Sequence, residues 1–426
     1  MATGLSNSSV ATPQKERSLT WSTWIEVNLD ALGHNLQEIE QHSHSPILPI
    51  LKADAYGHGA PVVAAFLQSL GYHFMAVSTV EEALSILECT KPTLLVLTPP
   101  SLEQLPLVLQ HGIIPTITSP RLVVELGKLA QQKRQKVVVH LKIDTGLGRL
   151  GVAPKDAWEI IRLIKNTPYL SLGGIFTHFS EAFKNSSFTK TQLNRLLEFR
   201  TQLSKTDPVQ LLWHAANSAA FLSLPASHLD LVRIGTLLYG QTPLPLDPTW
   251  HLQETWRVKA RLLQIRTLPK GHGVGYGRDY RARKAIRVGV IALGFCHGVE
   301  LEPQGTPKHQ LKVALGRLIH AQHPKVFYQD QSLPLIGRIG MGLSCVDLNS
   351  VPELDVGQEL TVPMRRVTAS AHLPRLYYYQ ERLHCVFWNS KFYYKGQWRT
   401  NSRGLFLTKF PPHRGSSPEP HTLVGQ

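Results

Sequence analysis

Residues 47–77 read ILPILKADAYGHGAPVVAAFLQSLGYHFMAV: an apolar β-rich run, a Gly-rich turn, the helical stretch PVVAAFLQSL and a second apolar run. Such a unit is a strand, a crossover helix and a parallel strand. The alternation continues outward from it. The apolar runs are ILPILK, HFMAVS, TLLVL, IIPTIT, KVVVHLKID, LSLGGIFTHF, QLLWHA and DLVRIG, eight in all. Between most of them lie helical patterns such as VEEALSILE, PRLVVELGKLA, KDAWEIIRLIK and TKTQLNRLLEFRTQL. Eight βα units over roughly 210 residues predict an α/β fold, a closed (β/α)8 TIM-like barrel rather than an open doubly wound sheet. A short strand from Trp24 to Asn28 is grouped with the barrel in residues 21–242, and residues 1–20, without periodicity, read as a disordered N-terminus.

After Gly240 the rhythm changes. PLPLDP (243–248) reads as a linker, and residues 250–375 carry short strand-like runs without helices between them, from WRVKARLLQIRTL through HQLKVALGRL to QELTVP. This predicts an all-β C-terminal domain. Residues 376–426 read as a basic, aromatic tail of unknown structure.

The 426 residues, 42% of them hydrophobic, can bury a large core. No apolar run approaches the roughly 20 residues of a membrane helix, and the first twenty residues lack the apolar core of a secretion signal, so the expectation is a cytoplasmic chain without membrane contact. Cys89, Cys296, Cys345 and Cys385 have no ligand spacing, which predicts neither a disulfide framework nor a metal site. The formal charge of +15 raises nucleic-acid binding, but seven Lys/Arg gather between Arg382 and Arg414 in the tail, so no nucleic-acid partner is expected.

Several segments carry chemistry. Lys52 stands where a strand meets a Gly-rich loop, the face of a barrel on which reacting groups gather. Desolvation there suits a lysine to an imine with an aldehyde cofactor; a snorkelling surface lysine has the same pattern. Tyr56, Gly57 and Gly59 fit either phosphate contacts or an ordinary turn. Gly146-x-Gly148-x-x-Gly151 is formally a dinucleotide fingerprint, but Asp144 precedes it, Arg149 lies inside it, and Pro168 and Tyr169 stand where an acid is expected. Arg149 there is suited to clamping a carboxylate or phenolate. In HAANSAA (214–220), Ser218 reads as a helix cap or a phosphate ligand. Arg233 and Gly235 follow on the last barrel strand, where this fold keeps its phosphate cradle. Tyr276, between Gly275 and Gly277, needs neighbouring cations or hydrogen bonds to act as a base, and His178 ends a strand.

Together LKADAYGHG, HLKIDTGLGRLG, THFSEA, HAANSAA, VRIGTLLYG, VGYGRDY and GRIGM, in order over residues 24–375, resemble the pyridoxal 5'-phosphate (PLP)-dependent alanine racemase family. The resemblance implies a barrel and a β domain, paired as a homodimer with shared active sites, and an isomerase that interconverts L- and D-alanine to supply D-alanine for cell-wall peptidoglycan. It makes Lys52 the residue that holds PLP as an aldimine and works on one face of the substrate α-carbon. Tyr276 of the other subunit works on the opposite face. It gives Arg233 to the pyridine nitrogen, and Tyr56, Asn217, Ser218, Gly235 and Thr236 to the cofactor and its phosphate. Arg149 would meet the cofactor phenolate and the substrate carboxylate, and the Met341 N–H the same carboxylate. His178 would support the tyrosine, His214 would pack near the ring, and Lys142 stands where members often carry a carbamylated lysine.

The chain departs from the family pattern at Phe295, His297 and Gly342, near the entrance, and at Ala371, where some members place a phosphate-contacting tyrosine. These departures leave two alternatives beside an alanine racemase: a racemase of broader specificity that takes serine, or a degenerate PLP-binding homologue with little turnover.

Overall fold

The computed structural model describes residues 21–184, 187–206, 210–301, 324–389, 391–394 and 397–400, with positions 307, 311 and 315. The expected N-terminal disorder (1–20), the last part of the tail (401–426) and most of the run HQLKVALGRL lie outside the described residues.

Strand β1 is Thr23–Asn28, and the eight apolar runs become β2 (Ile47–Pro49), β3 (Phe74–Val77), β4 (Thr93–Val96), β5 (Thr116–Ile117), β6 (Val137–Lys142), β7 (Leu170–Phe176), β8 (Leu212–His214) and β9 (Val232–Ile234). Pairing is parallel throughout: β2 with β9, β3 with β4, and β5 to β8 in sequence. Bridges from Ile50 to Ala76 and Leu95 to Ile114 join these groups. Asp230 N–H donates to Trp213 O and Arg233 N–H to Ala216 O, which closes the ring between β8 and β9. Strands buried on both faces are near-continuously apolar, which made them legible.

The outer helices follow local rules. Val80–Leu87 begins with a capping box between Thr79 and Glu82. Pro120–Lys133 starts with a Ser119 cap and Pro120 at its first position, buries Leu122, Val123, Leu126 and Ala130, and ends at left-handed Arg134.

The second domain holds β10 (Trp256–Leu268), β11 (Gly273–Val274), β12 (Tyr280–Arg281), β13 (Ile286–Ile291), β14 (Lys325–Tyr328), β15 (Gln331–Ile336), β16 (Ser344–Asp347), β17 (Glu359–Val362), β18 (Arg375–Tyr379), β19 (Arg382–Trp388), β20 (Lys391–Tyr394) and β21 (Gln397–Thr400). Its main sheet runs β13-β16-β15-β14-β17-β10-β1-β18-β19-β20-β21, and the long β10 also pairs with β13.

Two sequence expectations are corrected here. Strand β1 belongs to this sheet and not to the barrel: it is antiparallel to β10 and parallel to β18. Residues 376–400 are not a separate tail, because β18 to β21 extend the sheet by successive hairpins. The β18–β19 hairpin is held by a cluster of Trp24, Leu376 and Val386. Its turn is Gln380-Glu381, both at positive φ (50° and 59°), a conformation that Asn-Gly usually advertises and this pair does not.

Candidate active site

Lys52 opens an unusual turn. Ala53, Asp54, Ala55 and Tyr56 all have φ between 50° and 55° with ψ between 38° and 51°, one turn of left-handed helix built without glycine. Each such residue costs roughly 1–2 kcal/mol, so the turn persists only because its surroundings over-determine it. The barrel contributes Glu82, whose two oxygens accept from Ala53 N–H (2.6 Å) and Ser78 N–H (2.7 Å).

The β domain contributes the rest. Gly57 O accepts from Trp256 Nε1 (3.1 Å) and Arg375 Nε (3.0 Å), His58 O from the Tyr377 hydroxyl (2.8 Å), and Arg375 also pairs with Asp54 (2.9 Å). A Cβ on Gly57 would overlap the Arg366 carbonyl and one on Gly59 the Tyr377 hydroxyl. Both glycines therefore serve the close approach of the β domain, and neither lines the cavity described next.

Arg375 is almost fully buried and Asp54 is 42% exposed, so their pair is discounted for solvent. Arg375→Ala is expected to cost about 2 kcal/mol in denaturant unfolding, chiefly through the lost donor to Gly57 O. It should also weaken cofactor retention by loosening the Lys52 turn.

At the carboxyl ends of the barrel strands lies a cavity of about 550 Å³. Lys52, Tyr56, Arg149, His178, Arg233 and Lys142 line it, together with Asn217, Ser218, Gly235 and Thr236. The Lys52 amine stands 5.5 Å from the Tyr56 ring centre. Burial lowers its pKa, Arg149 and Arg233 lower it further, and Glu82 opposes them. Burial likewise pulls the Lys142 amine down to about 8, helped by Arg233 and Arg149; its Nζ donates to Leu97 O (3.2 Å).

Arg233, only 3% exposed, is held by both terminal nitrogens. NH1 donates to His214 O (2.9 Å) and His214 Nδ1 (3.1 Å), and NH2 to Thr177 O (2.7 Å) and Ala215 O (2.8 Å), with His178 Nδ1 at 3.4 Å. Burial takes this guanidinium to about 9, still cationic at neutral pH. Burial first, then Arg233, drives His178 to about 3, so its ring is neutral.

His214 stacks on Phe176 (4.8 Å, 12°) behind Arg233 and does not line the cavity. Phe176 itself lines the cavity, so His214 stands directly behind its wall. Asn217, not Ser218, caps the short helix Ser218–Ser223 by accepting from Ala220 N–H (2.9 Å). The Ser218 hydroxyl instead accepts from Gly235 N–H (3.0 Å).

The Gly146–Gly151 loop has no free nest for a dinucleotide, because the Asp144 carboxylate accepts from Gly146, Leu147 and Gly148 N–H (2.9, 2.8 and 2.9 Å). What the loop presents to the cavity is Arg149. Sequence reasoning missed Arg375, Tyr377 and His140, which carry no local motif, and Glu82, whose Thr-x-x-Glu capping box marks a helix start but not its bond to Ala53 N–H.

Tyr276 and Met341 are not in the walls of this cavity. They stand on the β domain, 72% and 67% exposed, close to one another: a Cβ on Gly340 would lie 3.9 Å from the Tyr276 ring. Phe295 N–H and Cys296 N–H donate to Gly340 O and Met341 O, and the Gly294 N–H to His297 Nδ1 (3.1 Å). Phe295 and Leu343 are exposed as well, so four large apolar or aromatic side chains are gathered on this patch. The departures Phe295, His297 and Gly342 all fall in it.

The family model of the alanine racemase N-terminal domain matches residues 27–243, and that of the C-terminal domain matches residues 255–376. The chain belongs to the alanine racemase family. It is 32% identical to alanine racemase 1 of Caldanaerobacter subterraneus over 80% of this chain and 85% of that one, and 32% identical to the alanine racemase of Chlorobaculum tepidum over 78% and 84%. The solved alanine racemase of Clostridium difficile 630 superposes with a TM-score of 0.78 at 26% identity, over 87% of this chain and 99% of that one. As a member of the alanine racemase family the chain is a PLP-dependent isomerase, and D-alanine for peptidoglycan is the general role of such enzymes.

The cavity fits that cofactor. A buried lysine whose pKa is lowered, a buried arginine, and a cradle of the Tyr56 and Ser218 hydroxyls around Gly235 match an aldehyde, a ring nitrogen and a phosphate. The cradle depends on glycine, since a Cβ on Gly235 would overlap the Tyr56 hydroxyl. Gly235→Ala is expected to weaken PLP binding about tenfold or more, read by cofactor titration of the dialysed protein, with racemisation recovering in excess PLP.

Proposed function

We propose that the chain racemises alanine with two acid–base groups on opposite faces of the substrate α-carbon: its own Lys52, and Tyr276 from a second copy in a homodimer. One observation carries the reading: Lys52 lies inside the cavity while Tyr276 stands outside it on an exposed apolar patch. Inversion at carbon removes a proton from one face and returns it to the other, so two groups must flank the carbon, and a second copy supplies the missing one.

When bound, PLP supplies the electron sink that makes the α-proton removable. Lys52, whose pKa is lowered by burial and two neighbouring guanidiniums, accepts or returns the proton on one face. The phenol of Tyr276, supported by His178, does so on the other. Arg149 and the Met341 N–H of the second copy orient the substrate carboxylate. Arg233, cationic at neutral pH, offers the ring nitrogen a donor, which disfavours a second positive charge on the ring and so side reactions. Tyr56, Asn217, Ser218, Gly235 and Thr236 hold the phosphate. Lys142, with its amine at about 8, suits carbamylation beside Arg149.

A cytoplasmic site of action accords with this substrate, and among the described residues no helix is long and apolar enough to cross a membrane. The deciding experiment incubates the purified protein with L-alanine, and separately with L-serine, in deuterated water. Inversion of alanine with deuterium at the α-carbon is expected, with serine slower by about tenfold to a hundredfold. A protein that retains PLP yet inverts neither amino acid contradicts the reading and favours a degenerate homologue.

A further inference from the structure

Behind the cavity runs a buried line of three side chains that ends at His140. His140 lies on β6, essentially without exposure, and its Nδ1 is 3.0 Å from His214 Nε2, whose Nδ1 in turn meets Arg233 NH1 at 3.1 Å. Burial holds both imidazoles far below their usual range, His140 at about 3 and His214 well below, so both are neutral. A neutral imidazole has one donor and one acceptor, and a guanidinium only donates. His214 Nδ1 must therefore accept from Arg233, which puts its proton on Nε2; His140 Nδ1 must accept that proton, which puts its own on Nε2. The charge at one end sets the direction of the whole line.

We propose that His140 is a positioning residue for Arg233: by accepting from His214 it locks the tautomer whose lone pair holds the guanidinium in place. Without that acceptor, His214 either leaves a buried N–H unpaired or turns a second donor toward Arg233. The first case leaves a buried donor unsatisfied, which favours the second, and in the second Arg233 loses its His214 anchor. The His140 ring is seated against Gly174, where a Cβ would come within 2.6 Å of Cε1, so the imidazole is fixed as well as buried. The inference rests on the proposed role of Arg233 toward the cofactor, but the tautomer state does not.

Nitrogen-15 NMR of the histidine-labelled, cofactor-free protein tests the lock itself. His140 and His214 are expected neutral and protonated at Nε2 across the neutral pH range; a cationic ring, or His214 protonated at Nδ1, overturns the proposal. In the loaded enzyme His140→Phe, which keeps a ring and removes the acceptor, is expected to lower kcat about tenfold with KM little changed. His140→Asn, whose Oδ1 accepts where Nδ1 did, is expected to recover most of that loss at a similar thermal midpoint. Equal losses in the two variants, or no loss in His140→Phe, overturn it. Wild-type protein with the expected tautomers and no racemisation would instead count against the proposed function.

Discussion

Tyr276→Phe is expected to lower alanine racemisation about a thousandfold, within the range a positioned acid–base group contributes, while PLP content stays that of the wild type. The two effects separate because Tyr276 is absent from the cavity that holds the cofactor residues of its own chain. Proton removal on the Lys52 face survives the change. In deuterated water one enantiomer of alanine should therefore still exchange its α-proton, with its configuration retained, while the other exchanges hardly at all. Steady-state rates from both directions, with proton NMR of the α-carbon, check this. Near-normal turnover would remove the phenol from the chemistry.

Lys52→Ala is expected to lose about ten-thousandfold in rate, because the same side chain anchors the cofactor and moves the proton. It should release PLP on desalting. The protein should not be destabilised: the amine is buried beside Arg149 and Arg233, which disfavour its charge, and Lys52 is not one of the four left-handed residues. Compared with the cofactor-free wild type, an unchanged or raised thermal midpoint with lost activity is the expected pair of results. A variant that still holds PLP tightly and racemises alanine contradicts the assignment.

How much of this was legible follows from where the determining contacts lie. The eight barrel strands were legible because parallel strands buried on both faces must be apolar along their length, and their helices carry caps and apolar stripes nearby in sequence. Strand β1 was grouped with the barrel residues because six residues before a helix do not name their partners, and those are β10 and β18. The hairpin of β18 and β19 was hidden by its Gln380-Glu381 turn and by a basic, tyrosine-rich composition that resembles a solvated tail, whereas Tyr378 packs against the cluster of Trp24, Leu376 and Val386.

The site divides in the same way. Lys52, Arg149 and Arg233 sit in recognisable segments at strand ends. The left-handed turn that aims Lys52 contradicts local propensity, and the groups that enforce it come from far along the chain, Arg375 and Tyr377 lying 318 and 319 positions from the carbonyls they bind. His140 carried no signal at all, since a single histidine in a strand acquires meaning only when His214 and Arg233 are seen beyond it.

Subunit complementation tests the shared site most directly. Neither Lys52→Ala nor Tyr276→Phe protein should racemise alanine appreciably alone, but unfolding and refolding an equal mixture creates dimers in which one site has both residues intact and the other has neither. Random pairing then restores about a quarter of wild-type activity. A mixture that stays inactive, although mass spectrometry finds mixed dimers in it, would mean that each chain builds its site alone.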